Sequence, residues 1–207
     1  MLSTVTCGAL AIAFIGLTLT SSVQGSNHPI SNDIVCPTNS HVSFVHNNYM
    51  YNAPLHKFTD ITGSFFNISW YDSAAVTSTT GTDNVPGATR SGTLAGAIFN
   101  QTLTAMDKRP DALIFSYHGN GSTFARRGYP VLTLDGYSET MRFESICGGK
   151  ATYIDVLTYV CSDNQPLAYS AWSKLHTSTF DGLAMTFGAT VLAGRLSSCV
   201  LILKSSP

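Results

Sequence analysis

Apolar and polar residues alternate through most of the chain between positions 42 and 161, as expected of β-strands with one buried face. Residues that favour turns separate these runs at 83–87, 107–110, 119–121 and 147–150. The last stretch contains two adjacent glycines and is typical of a β-hairpin. The predicted strands are 42–51, 74–82, 88–94, 97–106, 112–118, 137–146 and 151–161.

Helical patterns flank these strands. Because proline is favoured at the first helical position, a short helix is predicted over 54–66, and a second is predicted over 68–71. A long C-terminal helix is predicted to begin at Ser178, which precedes Asp181 by three residues in a capping arrangement. Two apolar stripes follow at helical spacing, formed by Phe180, Leu183, Phe187 and Val191 and by Met185, Ala189, Leu192 and Leu196.

The C-terminal helix is expected to be buried rather than to span a membrane. No charged residue lies between Leu183 and Gly194, so the helix is apolar nearly all round. Arg195 and Lys204 interrupt the apolar run before it is long enough to cross a bilayer. The pattern therefore predicts an α+β fold, with two short helices, a curved antiparallel sheet of about seven strands and a long C-terminal helix around a cavity.

The composition favours buried or ligand-facing apolar surface. Hydrophobic residues make up 44% of the 207 residues and charged residues only 11%, which is well below the usual quarter. The net charge is −1 and no basic block is present, so the chain has no electrostatic signature of a nucleic-acid partner. Its length and the lack of a linker or repeat predict one domain.

Residues 1–25 are predicted to be a secretory signal peptide. Positions 9–19 are almost wholly apolar, and Val23-Gln24-Gly25 provides small residues for cleavage. An uncleaved membrane anchor is the alternative. The mature domain is predicted over 26–207, in the ER lumen or secreted, without stable membrane insertion.

The cysteines and sequons agree with that compartment. Cleavage would remove Cys7 and leave four cysteines, which predicts two disulfides: Cys36, Cys147, Cys161 and Cys199. Their spacing does not match a zinc site, and no metal or other cofactor is expected. Asn67, Asn100 and Asn120 begin Asn-X-Ser/Thr sequons and are predicted to be glycosylated.

Four short stretches, in this order and spacing, resemble the START-like superfamily. They are Tyr51-Asn52-Ala53-Pro54-Leu55-His56-Lys57, Asn84-Val85-Pro86-Gly87-Ala88-Thr89-Arg90, positions 103–107 with Phe115-Ser116-Tyr117, and Gly149-Lys150-Ala151-Thr152-Tyr153-Ile154. This superfamily includes the birch-pollen-allergen type, the abscisic acid receptors and many polyketide cyclases and aromatases. The resemblance covers roughly residues 40 to 200 and implies a helix-grip fold around an apolar pocket. Most members are cytosolic and lack disulfides, so a secreted member departs from the pattern.

Strand alternation and the resemblance together select inward-facing residues. If Asn100 carries a sugar it must point outward, so that Phe99, Gln101 and Leu103 point inward. The resemblance to the abscisic acid receptors places five further residues on the inward face: Arg90, Phe115, Tyr117, Tyr137 and Glu139. On the last strand two alternatives stay open, since either the even positions 152, 154 and 156 or the odd positions 153, 155 and 157 face inward.

Arg90, Tyr117 and Glu139 are the candidate catalytic residues. A charge inside an apolar cavity is costly unless it is paired, so Arg90 and Glu139 are expected either to pair with each other or to act on a ligand. In the second case Arg90 would stabilise an enolate or carboxylate, and Glu139 would be a general acid or base with a raised pKa. His46, His118 and His176 are interpreted as surface or hydrogen-bonded structural groups. The candidate ligand-binding residues are Trp70, Phe99, Gln101, Phe115, Tyr137 and Phe187.

The resemblance also implies the disulfide pairing. The first and last strands are neighbours in this superfamily, which brings Cys36 near Cys161. The final helix returns toward the last hairpin and brings Cys199 near Cys147. The predicted pairs are therefore Cys36–Cys161 and Cys147–Cys199.

Two functions of different classes follow from a pocket in a chain without a recognisable nucleophile, phosphate-binding or metal motif. The first is a cyclase or pericyclase that shapes an apolar polyketide or terpenoid intermediate, since such reactions need shape and water exclusion. The second is a non-catalytic carrier of a lipid, sterol or secondary metabolite. A third is an effector without a dedicated ligand. In the first two cases the partner is an apolar small molecule.

Overall fold

The computed structural model describes residues 34–71, 74–125 and 130–192, together with Cys199. The predicted signal peptide over 1–25 and the end of the predicted C-terminal helix, over 193–196, lie outside these residues.

Seven antiparallel strands form one sheet in the order β1-β7-β6-β5-β4-β3-β2, so that the first and last strands are neighbours. All seven predicted strands are present. They are β1 His41–Tyr51, β2 Ala75–Thr80, β3 Thr89–Leu94, β4 Ala97–Lys108, β5 Ala112–Phe124, β6 Leu132–Ile146 and β7 Ala151–Ser162. Buried and exposed residues alternate along β4 as its sequence pattern predicts.

Two helices cover one face of the sheet, which confirms the α+β helix-grip arrangement. The short helix α1, Leu55–Thr62, follows Pro54, whose extended backbone forms the N-cap. The long helix α2, Gln165–Met185, packs against β1 and contributes Trp172, Phe180 and Leu183 to the core. The helices and the inner face of the sheet together enclose an aromatic core.

The predicted second short helix over 68–71 is wrong. This segment forms turns, in which the backbone N–H of Tyr71 donates to the carbonyl of Ile68 at 2.8 Å. The Asn67 side chain also binds the hydroxyl and N–H of Ser69, at 2.8 and 3.1 Å. Asparagine and serine at these positions give the backbone hydrogen bonds that compete with a helix.

The predicted start of the C-terminal helix at Ser178 is also wrong. The helix begins thirteen residues earlier, at Gln165, where the Asn164 side chain caps the N–H of Leu167 at 3.1 Å. It ends at Met185, and Gly188 then adopts a left-handed φ of +71°. Phe187 and Val191 therefore lie beyond the helix, and the segment at 190–192 hydrogen-bonds to the end of β1.

The predicted turn at 119–121 is part of β5 instead. Asn120 pairs with Gly136 in the β5–β6 ladder, and the strand continues to Phe124. A Cβ on Gly119 would lie 2.1 Å from Cζ of Tyr137, so this glycine permits a close side-chain approach rather than a turn. The hairpin predicted at Cys147-Gly148-Gly149-Lys150 is present, with left-handed backbone at Gly148 and Gly149.

Candidate functional site

The inner face of the sheet carries the residues that the sequence placed there. All of them are at least 96% buried: Arg90, Phe99, Gln101, Leu103, Phe115, Tyr117, Tyr137 and Glu139. On β7 the even positions Thr152, Ile154 and Val156 are fully buried, which decides between the two alternatives. Alternation along the strands is therefore the physical basis of the site.

Arg90 does not pair with Glu139 in the structure. Its Nε donates to Oε1 of Gln101 at 2.6 Å, and its Nη1 donates to the carbonyl of Phe65 at 2.5 Å. The guanidinium also lies over the Phe65 ring, 4.2 Å from its centroid, and 5.1 Å from the centroid of Tyr117. Burial lowers the pKa of Arg90 from its ordinary value, but aromatic faces and two acceptors stabilise the buried cation.

Glu139 is the centre of a second buried polar cluster. Its carboxylate accepts hydrogen bonds from four side chains: the Tyr117 hydroxyl, the Thr158 hydroxyl at 2.9 Å, the Trp172 indole at 3.0 Å and the His176 ring at 2.8 Å. Burial raises the pKa of Glu139, but the charge and hydrogen bond of His176 with the other donors outweigh it, so its pKa lies below the ordinary value. The carboxyl group is held ionised, contrary to the raised pKa that general acid catalysis requires.

His176 is a member of this cluster that the sequence analysis treated only as a structural group. Its Nδ1 faces Oδ1 of Asn47 at 2.9 Å, and its Nε2 faces Oε2 of Glu139. The Asn47 amide nitrogen donates to Ser173 at 3.2 Å, which leaves its oxygen as the acceptor for the ring. Both ring nitrogens thus have a hydrogen-bond partner, and His176 and Glu139 form a fully buried pair.

The sequence contains a signal for His176 once the start of α2 is known. Ala168, Trp172, His176, Thr179 and Leu183 recur at helical spacing from the Asn164 cap and are all buried. A histidine in the apolar stripe of an amphipathic helix must find a buried partner. Placing the N-cap at Ser178 hid this stripe.

Between the sheet and α2 the described residues leave an inner cavity of about 10 Å³. This is close to the smallest volume that holds one water molecule. Its lining includes Tyr71, Phe99, Gln101, Tyr117 and Tyr137. The predicted cavity is thus almost filled by aromatic side chains.

A larger space of about 360 Å³ lies outside this cavity and is called here the groove. Its apolar lining consists of Leu94, Ala95, Phe124, Pro130, Leu132, Leu167, Ala171, Trp172 and Leu175, and its polar lining of Lys174 and Ser178. Four residues line both spaces and form the wall between them: Leu94, Phe124, Trp172 and Leu175. The volume and apolar lining of the groove suit a small organic molecule.

Three candidate ligand-binding residues line neither space. Trp70 packs on Phe180, with 6.1 Å between ring centroids, and donates its indole N–H to the Asn67 carbonyl at 3.0 Å. Phe115 stacks between Tyr117 and Phe143. Phe187 meets the Phe58 ring edge-on at 4.9 Å. The structure brings Phe99, Gln101 and Tyr137 together with Tyr117 at the inner cavity. Trp70, Phe115 and Phe187 pack elsewhere in the core.

Both predicted disulfides are present. Cys36 binds Cys161 across 125 residues, and Cys147 binds Cys199 across 52 residues. Asn67, Asn100 and Asn120 are exposed, as glycan acceptors must be. Within the described ranges no group of histidine, cysteine or acidic residues is placed to hold a metal ion, and no helix is long and apolar enough to span a membrane.

Comparisons with known proteins concern the fold. No protein-family model and no curated protein matches the chain. A solved structure of an uncharacterised protein from Nitrosospira multiformis is 19% identical, covers 70% of this chain and 95% of its own, and has a TM-score of 0.51. Ara h 8.0201 is 14% identical over 80% of this chain and 100% of its own, with a TM-score of 0.48. Norcoclaurine synthase from Thalictrum flavum, in complex with dopamine and hydroxybenzaldehyde, is 10% identical over 82% and 91%, with a TM-score of 0.41.

The element order, the sheet order and the helix laid across the inner face define an α+β helix-grip protein. The helix-grip fold that the sequence resemblance implied is therefore present, and the Nitrosospira multiformis protein shares this fold.

Proposed function

We propose that this protein is a carrier that binds a largely apolar small molecule in the groove. The observation that carries the proposal is a space of about 360 Å³ in which, among the described residues of the lining, only Lys174 and Ser178 are polar. Ligand sites are usually concave, mostly apolar and of several hundred Å³. Leu132, Ala171 and Trp172 would contact the ligand, and Lys174 and Ser178 form the polar part of the groove lining.

The hydrogen bonds that Arg90 and Glu139 make to protein groups favour a carrier over a cyclase. Arg90 and Glu139 are fully buried and bonded to protein groups, and neither lines the groove. Either residue would have to break several hydrogen bonds to reach a ligand, which costs about 1–3 kcal/mol for each buried group left unsatisfied. The inner cavity, at about 10 Å³, is too small for a polyketide or terpenoid.

A cyclase or pericyclase remains the second candidate because of Tyr117. Its side chain lines the inner cavity, and its hydroxyl is bound to the ionised Glu139. If the interior opened, Tyr117 would be the first group to meet a reacting atom, with Glu139 and Arg90 behind it. The two candidates differ in one respect, since removing Tyr117, Glu139 or Arg90 would abolish turnover by an enzyme and leave binding by a carrier.

The location that we propose is the ER lumen or the extracellular space, with sugars on Asn67, Asn100 and Asn120. Two disulfides support an oxidising compartment. Asn100 and Asn120 lie on the outward face of neighbouring strands, away from the groove. Mass spectrometry of the protein expressed in eukaryotic cells, before and after enzymatic deglycosylation, tests this. An unmodified protein in the cell lysate would contradict it.

The test of ligand binding uses a groove-filling variant, Ala171→Trp, and the neutral fluorescent probe N-phenyl-1-naphthylamine. The wild type should bind the probe, and Ala171→Trp should bind it at least about tenfold more weakly, a change of about 1.4 kcal/mol, because the indole occupies the groove. Tyr169→Trp is the matched control, since it adds an indole to an exposed position of the same helix outside the groove. Equal affinity in all three proteins would overturn the assignment of the groove.

A further inference from the structure

Three tyrosines line the inner cavity, and their hydroxyl groups differ in the hydrogen bonds left to them. Tyr117 donates its proton to Glu139, so its oxygen can only accept from a molecule in the cavity. Tyr71 makes no hydrogen bond from its hydroxyl to any residue that the structure describes, so it can donate or accept. Tyr137 differs from both.

The direction of the hydrogen bond at Tyr137 follows from Arg90. A guanidinium has only donors, so the Gln101 oxygen must face Arg90 Nε, and the Gln101 amide nitrogen must face Tyr137. That nitrogen donates to the Tyr137 oxygen at 2.6 Å. The hydroxyl proton of Tyr137 is therefore left over, and none of the described residues offers it an acceptor within hydrogen-bonding distance.

The Tyr137 ring is held in this position by its neighbours. It lies across Gly119, the residue opposite it on β5, whose missing side chain makes the room. It also packs edge-on against Trp172, with 5.2 Å between ring centroids, and against Tyr117 at 6.4 Å. The hydroxyl cannot turn to solvent, because Tyr137 is only 4% exposed.

The side chain is thus shielded from solvent, and Tyr137 is one of the residues that line the inner cavity.

The cavity therefore offers a donor, Tyr137, facing an acceptor, Tyr117, with Tyr71 able to serve as either. We propose that it recognises the hydroxyl group of an apolar alcohol or phenol whose body lies in the groove. This inference rests on the proposed function and names the ligand class. A hydroxyl accepts from Tyr137 and donates to Tyr117 at once, and the volume of about 10 Å³ admits one such oxygen.

Other polar groups match this arrangement less well. A ketone or ether oxygen accepts from Tyr137 but has no proton for Tyr117. A carboxylate has only acceptors, and it would meet the Tyr117 oxygen, which is bound to the ionised Glu139. The wall between groove and cavity is one side chain thick. The Phe124 and Trp172 rings, with centroids 6.4 Å apart, must separate to admit the hydroxyl.

The test compares three probes of nearly equal shape: 2-naphthol, 2-methoxynaphthalene and naphthalene. The wild type should bind 2-naphthol at least about tenfold more tightly than the other two, because only 2-naphthol can donate and accept. In Tyr137→Phe the preference should fall to about twofold or less, while the affinity for naphthalene stays within about twofold. Tyr51→Phe is the matched control. It removes a hydroxyl that donates to Asp181, away from the cavity, and should retain the preference.

The outcomes separate this inference from the proposed function. If naphthalene binds and Ala171→Trp weakens it, but 2-naphthol binds no more tightly, the groove is supported and the hydroxyl site is overturned. If none of the probes binds, both proposals fail. A preference that survives in Tyr137→Phe also overturns the hydroxyl site. If Tyr137→Phe does not fold, equal affinity of the wild type for the three probes still overturns the inference.

Discussion

The interior of the helix grip and the groove beside it differ in polarity and in free volume. The interior holds the buried His176–Glu139 pair and the buried guanidinium of Arg90. Its free space is a cavity of about 10 Å³ lined by three tyrosines. The groove is more than thirty times larger, about 360 Å³, and its lining is almost wholly apolar. In this fold, polar chemistry and free volume have been separated into adjacent compartments. A site of binding does not have to coincide with the residues that are most conspicuous chemically.

The difference follows from the cost of burying charge. Arg90, Glu139 and His176 are stable in the interior only because each is surrounded by matched donors, acceptors or aromatic faces. Those partners occupy the space that a ligand would need. The groove lies between α2 and the ends of β5 and β6, where the described lining contains a single charged residue, Lys174, and the volume stays open.

The largest expected effect comes from removing one member of the buried His176–Glu139 pair. His176→Leu leaves the buried Glu139 carboxylate without its His176 partner, and the free energy of unfolding should fall by about 3–5 kcal/mol. Urea unfolding followed by tryptophan fluorescence measures this. The groove does not contain His176, so probe affinity of the folded variant should change little.

His46→Leu is the control for that prediction. His46 binds Asp155 at 2.6 Å, but the pair lies on the outer surface with the histidine side chain 44% exposed. Exposed pairs contribute about 0–1 kcal/mol, so this variant should stay close to wild type. Equal losses of unfolding free energy in the two variants would show that burial does not distinguish the pairs. They would contradict the difference expected between the interior and the surface.

A smaller effect is expected from filling the space that holds Tyr137. In Gly119→Ala the new Cβ would lie 2.1 Å from Cζ of Tyr137, and displacing that ring should cost about 1–3 kcal/mol of stability. Gly136→Ala is the matched control on the neighbouring strand, because its Cβ meets nothing closer than 3.6 Å. A Gly119→Ala protein as stable as Gly136→Ala would mean that the Tyr137 ring is not fixed.

The strands and the disulfides could be predicted from the sequence because each depends on local pattern or on topology. Alternation places Gln101 inward whatever the details of packing, and the family resemblance places Arg90 on the same face. The resemblance implied that β1 and β7 are neighbours and that Cys36 lies near Cys161, as the structure shows. The sequence predictions were wrong where one residue type can have two structural roles. Ser178 resembles an N-cap, but it lies inside α2, and Gly119 resembles a turn residue, but it makes room for a ring.

The partners of Glu139 and the volume of the cavity could not be predicted. His176 reaches Glu139 across 37 residues, and only the packing of α2 on the sheet brings them together. The pairing of Arg90 with Gln101 and Phe65 rather than with Glu139 depends on distances that alternation does not determine. The free volume is a small difference between the space enclosed and the side chains that fill it, so it depends on every rotamer in the core.

The smallest expected effect is on pH dependence, which should differ between the stability of the interior and ligand binding in the groove. The folded pKa of Glu139 lies below the value of about 4.3 that it has when unfolded, so its ionisation stabilises the fold above that pH. This contribution is lost as the pH falls through the folded pKa, because the unfolded state binds the proton first. Glu139→Gln has no ionisable group at this position. Its stability at neutral pH should be lower than that of the wild type, and it should depend less on pH between about pH 6 and about pH 3.

Glu144→Gln supplies the comparison, since Glu144 lies on the same strand but pairs with Arg142 at the partly exposed outer face. Its acid dependence should match that of the wild type, because screened pairs contribute little. None of the described residues that line the groove has a carboxylate, so binding of naphthalene by folded protein should be independent of pH over this range. If naphthalene affinity falls together with the protonation of Glu139, the wall of Phe124 and Trp172 transmits the change. The interior and the groove would then act as one site rather than two.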